Sequence, residues 1–134
     1  MIHPEVADEI RDHARRYVDT MQKMGHPSIG AMAAGYISAE DLVFLGAVNG
    51  AGSAALDYLV GTDRALVRDH PEAGPVVMQD DPAFRDEEHE RQYRFVADLF
   101  ACTPAEAELR VDRINAAISR YVNDQVQKGQ ASAE

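Results

Sequence analysis

Apolar side chains return every three or four residues through most of this chain, with polar ones filling the gaps. That period belongs to helices with one face against a core. Val6, Ile10, Ala14, Tyr17, Met21 and Met24 mark the first stripe and predict a helix over about 4–24. Pro4 suits a first helical position, and Glu5, Asp8 and Glu9 suit the positive end of the helix dipole. Gly25 and the His26-Pro27 step end it. Asp12 and Arg16 are spaced for an i,i+4 pair on the wet side.

Residues 25 to 37 form a small-residue connector with room for one short helical turn. Ser38 followed three residues later by Asp41, just before an apolar run, is a helix-start signal. The helix it opens, over about 39–60, is apolar nearly all round and is expected to be the central, most buried one. Gly46, Gly50 and Gly52 lie inside it, each at a cost of up to about 1 kcal/mol relative to alanine. Two offsets are open: close approach of another helix across the flat face of Gly46, Gly50 and Ala54, or a break near Gly50.

Gly61-Thr62-Asp63 is read as closing this helix and capping a short one over about 63–69, which His70-Pro71 stops. Residues 71 to 82 read as an irregular loop that lays Val76, Val77 and Met78 on apolar surface. A helix over about 82–101 follows, with Phe84, Tyr93, Val96, Ala97 and Phe100 on one face, widened by Phe95 and Leu99. Thr103-Pro104-Ala105-Glu106 is the strongest boundary: an N-cap, a first-turn proline and a capping-box acid. The last helix, about 104–127, has its seam at Ala107, Val111, Ile114, Ile118 and Tyr121. Lys128-Gly129 suits its end, and residues 128 to 134 are expected to fray. No run alternates apolar and polar residues with period two, which argues against a sheet. The pattern predicts an all-α fold: one domain over residues 1–134, a compact bundle of four main helices plus one or two short ones.

Composition narrows the function. With 134 residues, 46% hydrophobic and 27% charged, the chain can bury a core without staples. Its 23 acidic against 13 basic side chains give a formal net charge of −10. That field repels phosphate backbones and anionic lipid, so neither nucleic acid nor membrane is an expected partner. Residues 42 to 60 admit a loose helix-turn-helix register, but Gly52 to Val60 contains no Lys or Arg to contact DNA. The stretch from Leu42 to Val60 is broken by Asn49, Ser53 and Asp57, which makes it a poor membrane span. The start of the chain has no basic and apolar leader pattern, and Cys102 is the only cysteine, so a reducing cytoplasm is the expected location.

Two constellations are candidates for chemistry. His13 and His89 fall at the edges of apolar stripes, each with a carboxylate one turn earlier, Glu9 and Asp86. If the first and fourth helices packed with these ends level, Glu9, His13, Asp86 and His89 would form a carboxylate–imidazole set of the kind that holds metal in helical bundles. The alternative is that each histidine is a core-edge residue bonded to a neighbour, and this structural reading is preferred. The second constellation is Asn49, Ser53 and Asp57, four apart along the otherwise apolar central helix. A buried polar stripe needs hydrogen-bond partners, which a ligand, a second subunit or nearby side chains would supply. Cys102 reads as a small buried thiol, and the three His-Pro steps at 3, 26 and 70 read as helix edges.

The functional expectation is a non-catalytic helical protein that binds a partner protein or a small ligand in a regulatory role, and self-associates as a homodimer through the seam of the last helix and the small-residue face of the central one. The alternative is a small helical enzyme or metal protein built on the two histidines. The sequence points to no particular cofactor.

Overall fold

The computed structural model of the chain describes residues 2–62, 67–70, 74–77 and 82–133. Five helices carry the fold: α1 (Pro4–Met24), α2 (Pro27–Ala33), α3 (Ala39–Thr62), α4 (Pro82–Phe100) and α5 (Pro104–Ala133), with a short hairpin of β1 (Val67–His70) and β2 (Gly74–Val77) between α3 and α4. The fold is all-α, with four main helices and one short one among the described residues.

Local chemistry sets the boundaries. At His3-Pro4 and again at His26-Pro27 the proline occupies the first turn, while the preceding imidazole accepts a backbone N–H: Glu5 N–H to His3 Nδ1 at 3.2 Å and Ser28 N–H to His26 Nδ1 at 3.1 Å. Each histidine does the work usually given to Ser or Asp at an N-cap. Gly25 closes α1 in the left-handed region at φ 64°, and His26 N–H reaches back to the Met21 carbonyl at 3.0 Å. The two sequence-predicted capping boxes form reciprocally. Asp41 N–H donates to Ser38 Oγ (3.0 Å) and Ser38 N–H to Asp41 Oδ2 (3.1 Å); Glu106 N–H donates to Thr103 Oγ1 (3.1 Å) and Thr103 N–H to Glu106 Oε1 (3.3 Å).

The central helix is α3, and it is continuous through Gly50. Its glycines answer to the first of the two offsets. A Cβ on Gly46 would stand 3.0 Å from the Cα and carbonyl oxygen of Ala14, and one on Gly50 would stand 2.9 Å from His13 Cβ. Helix α1 therefore lies against the small-residue face of α3, with Ile10 and Ala14 buried along the seam. This face is filled within the chain, so it is not a surface on which a second copy can dock, contrary to the expectation above. Helix α4 packs on another side of α3 through Tyr93, Val96 and Ala97. Helix α5 packs chiefly against α4 and α2, with Ala107, Ile114 and Ala117 buried. It touches the start of α3 through side chains rather than lying along it.

Other expectations are corrected. Residues 67–70 are a strand, not the end of a short helix; they pair antiparallel with 74–77, Val67 opposite Val77 and His70 opposite Gly74. Pro71 drives the residue before it out of the helical region toward extended backbone. In a two-stranded hairpin both strands are edges, so Pro75 can be accommodated. The expected cap at Asp63, the contacts of Val76, Val77 and Met78, and the place of Phe84 on its stripe lie outside the described residues or side chains. Helix α5 does not stop near 127 but runs through Gly129 to Ala133. A glycine ends a helix only if it turns left-handed, and among the described residues the glycines with positive φ are Gly25 and Gly35. Asp12 pairs with Arg15, three residues on, instead of Arg16. The last residue of the first stripe, Met24, is exposed.

Candidate functional site

The histidine–carboxylate set does not assemble. Helices α1 and α4 lie against α3, each chiefly on its own seam, so their histidines look at different neighbours. His13, half-buried, donates from Nε2 to Oδ1 of Asn49 on α3 at 2.7 Å. His89, exposed on α4, pairs through Nε2 with Glu108 Oε1 on α5, and its ring sits beside Tyr93. Glu9 and Asp86 face solvent. Among the described residues no three His, Cys, Asp or Glu side chains gather closely enough to hold a metal ion.

The stripe of Asn49, Ser53 and Asp57 is also placed differently from the expectation. All three are exposed. They lie on a strip of α3 that the neighbouring helices leave open; exposed polar groups need no buried partner, so the demand that motivated a ligand is absent, and Asn49 is bonded by His13. The polar contact that does cross the buried part of α3 comes from elsewhere: Gln92 Nε2 on α4 donates to the Val48 carbonyl at 2.8 Å.

Residues expected as core or as solvated charge form a different feature at the α3 N-terminal end. Arg110 of α5 places Nη2 3.2 Å and Nε 3.4 Å from Asp41 Oδ1. Its guanidinium lies 4.3 Å from the centroid of the Phe44 ring, and Phe44 meets Phe100 edge-on with centroids 4.9 Å apart. Burial pushes the Asp41 carboxyl up, but the Ser38 backbone N–H, Arg110 and the Ser38 hydroxyl outweigh it and hold the group below its ordinary value. This cluster ties α5 to the start of α3 at one point.

Beside it the surface opens. A groove of about 530 Å³ runs between Arg11, Ala14 and Arg15 of α1, Val43 and Ala47 of α3, and Leu99 and Phe100 of α4. It continues through Val43 and Phe100 toward Ala39, Glu40 and Arg110, and then into a cleft of about 430 Å³ floored by Phe44, Phe100, Cys102 and Leu109. Val43 is 45% exposed, Phe100 36% and Leu109 68%. The result is an apolar strip running from the middle of α1 across the start of α3 and the end of α4 to the start of α5. Cys102 is half-buried there. Its thiol is pushed up by burial and by Glu106, against the opposing pull of Arg110, so it stays protonated and is a poor nucleophile.

No helix among the described residues is long and apolar enough to cross a membrane. No protein-family model, curated protein or solved structure matches this chain. One signal of the strip was present in the sequence: a helix apolar all round needs cover on every side, and the chain supplies few helices to give it.

Proposed function

We propose that this chain is a non-catalytic helical module that self-associates, two copies meeting through the apolar strip of Val43, Leu99, Phe100 and Leu109. The observation that carries this reading is the continuity of that strip. Scattered apolar residues on a surface are ordinary; adjoining grooves sharing Val43, Phe100 and Arg110 are the kind of patch that marks an interaction site.

Charge favours a second copy as the occupant. The chain carries −10 in total, and most approaches between two copies are repulsive. Around the strip, however, three of the four arginines are balanced within the chain: Arg11 by Asp8 at 3.3 Å, Arg15 by Asp12, and Arg110 by Asp41; the fourth, Arg113, stands at its far edge. A two-fold axis through the strip would bring these mixed-sign rims face to face, where exposed pairs can exchange partners at little cost.

Sedimentation velocity over about 1 to 100 µM, spanning the affinities of transient to stable interfaces, tests the reading. The wild-type chain is expected to sediment as a dimer at the upper end. Val43→Glu with Leu109→Glu, both at exposed positions, is expected to give monomer with unchanged helical circular dichroism. A wild-type chain that stays monomeric throughout, or a dimer indifferent to the double substitution, overturns the proposal.

A further inference from the structure

A second cleft lies further along α5, shares Arg113 with the cleft floored by Phe44 and Leu109, and has a different character. It holds about 310 Å³ between α5 and the connector that leads into α3. Ile37, Ile114 and Ala117, all nearly fully buried, form its floor. Arg113 and Arg120 stand on its rim, two turns apart on α5, which separates their Cα atoms by about 10 Å along the axis.

Acids outnumber cations in this chain by 23 to 13, so each arginine has ample choice of partner. What sets these two apart from other arginines without an ion pair among the described residues, such as Arg16 and Arg91, is that both line one apolar cleft. Arg11, Arg15, Arg94 and Arg110 have each taken a partner. Among the described residues Arg113 and Arg120 have no ion-pair partner, although two carboxylates are close to the cleft. Asp41 is already engaged by Ser38 and Arg110, and Asp124 accepts from the Tyr36 hydroxyl. Arg120 instead sits 5.9 Å from the centroid of the Tyr36 ring. Two guanidiniums without an ion-pair partner thus flank one apolar floor, with the competing acids Asp41 and Asp124 occupied.

We infer that this cleft binds an organic monocarboxylate with a compact apolar body, the carboxylate held between Arg113 and Arg120 and the body laid on Ile37, Ile114 and Ala117. Guanidinium matches carboxylate geometry with paired N–H donors. A bare inorganic anion would leave the apolar floor unused, and a neutral hydrocarbon would leave the arginines unused. Pockets of this volume sit at the lower end of those that take small molecules.

The test uses three small probes on the full ¹⁵N-labelled chain: phenylacetate, 2-phenylethanol and acetate. Titration followed by amide shifts is expected to show saturable binding of phenylacetate, centred on Ile37, Ile114 and Ala117. The alcohol and acetate, each lacking one half of the recognition, are expected to bind at least about tenfold more weakly, the loss of one charge-assisted contact or of the apolar contact. Arg113→Gln and Arg120→Gln are each expected to cost about tenfold for phenylacetate and nothing for the alcohol. Both arginines are exposed, so the fold should tolerate the changes, and an unaltered amide spectrum away from the cleft checks this. Equal binding of phenylacetate and the alcohol, shifts centred elsewhere, or indifference of phenylacetate to the double glutamine variant overturns the inference.

Discussion

Replacing Gly46 with alanine should destabilise this protein, whereas the same change at Gly129 should stabilise it. Both residues lie inside helices, where alanine is favoured over glycine by up to about 1 kcal/mol. Their surroundings differ. At Gly129 a Cβ meets nothing within 4 Å, so only the helical preference counts, reduced by the proximity of the helix end. At Gly46 the Cβ would lie 3.0 Å from the Ala14 Cα and carbonyl oxygen and 3.1 Å from Tyr17 Cδ1. The first two are backbone atoms of a packed helix and cannot rotate away, so α1 must move outward as a unit. Overpacking costs about 1–3 kcal/mol, and contact with two immovable backbone atoms puts this site at about 2–3, so subtracting a helical gain of up to about 1 leaves a net loss of about 1–2 kcal/mol. For a chain of this length each kcal/mol moves Tm by about 4 °C, so Gly46→Ala is expected to melt about 4–8 °C lower. Thermal and urea unfolding followed by circular dichroism at 222 nm measure both variants. A Gly46→Ala protein at least as stable as wild type would refute the claim that α1 rests on this face of α3.

Further outcomes follow from particular residues. Ala101 closes α4 at φ 53°, with Cys102 N–H reaching the Ala97 carbonyl at 3.0 Å; a side chain there costs about 1 kcal/mol that glycine avoids, so Ala101→Gly should raise the urea midpoint. Asp41 has its folded value held below the ordinary value near 3.9, so its contribution is present above about pH 4 and lost as pH falls through that value and then the folded one. Asp41→Asn should therefore lose about 1 kcal/mol at pH 7, and its deficit relative to wild type should shrink between pH 5 and the acid limit, measured as urea midpoints against pH. Tyr93 is pushed up by burial and then by Glu108 and Asp112, so ionising it should cost stability as pH rises above about 10; Tyr93→Phe should soften the alkaline transition seen in melting curves.

What was legible in the sequence was what depends on neighbours a few residues apart. Ser38 with Asp41 and Thr103 with Glu106 announce their helices because the bonds they make stay within one turn. The glycines of α3 were legible too, since three helix-weakening residues in one helix demand a tertiary reason. What was not legible is which side of α3 each partner takes. His13 and His89 share the same local spacing, a carboxylate one turn before and an aromatic one turn after, and only the arrangement of α1 and α4 around α3 sends one to Asn49 and the other to Glu108. The stripe at Asn49, Ser53 and Asp57 looked buried because its helix is apolar all round, yet burial is a property of the cover.

The same point accounts for the apolar strip. Had α5 lain along α3, as its long seam invites, Val43 and Phe100 would be core. Instead α5 directs Ile114 and Ala117 toward α2 and the connector at Ile37, and reaches α3 through one arginine, Arg110, bonded to Asp41 and stacked on Phe44. A bare corner of the central helix is the geometric consequence. An arginine spanning the gap is a sound way to hold α5 there, since its aliphatic stem covers apolar surface while its head satisfies a half-buried carboxylate. If the corner were merely a packing defect, filling or charging it would change stability alone. Val43→Glu and Leu109→Glu, both on exposed side chains, are expected to leave the monomer's melting nearly unchanged and to act on association, so stability and assembly separate the two explanations.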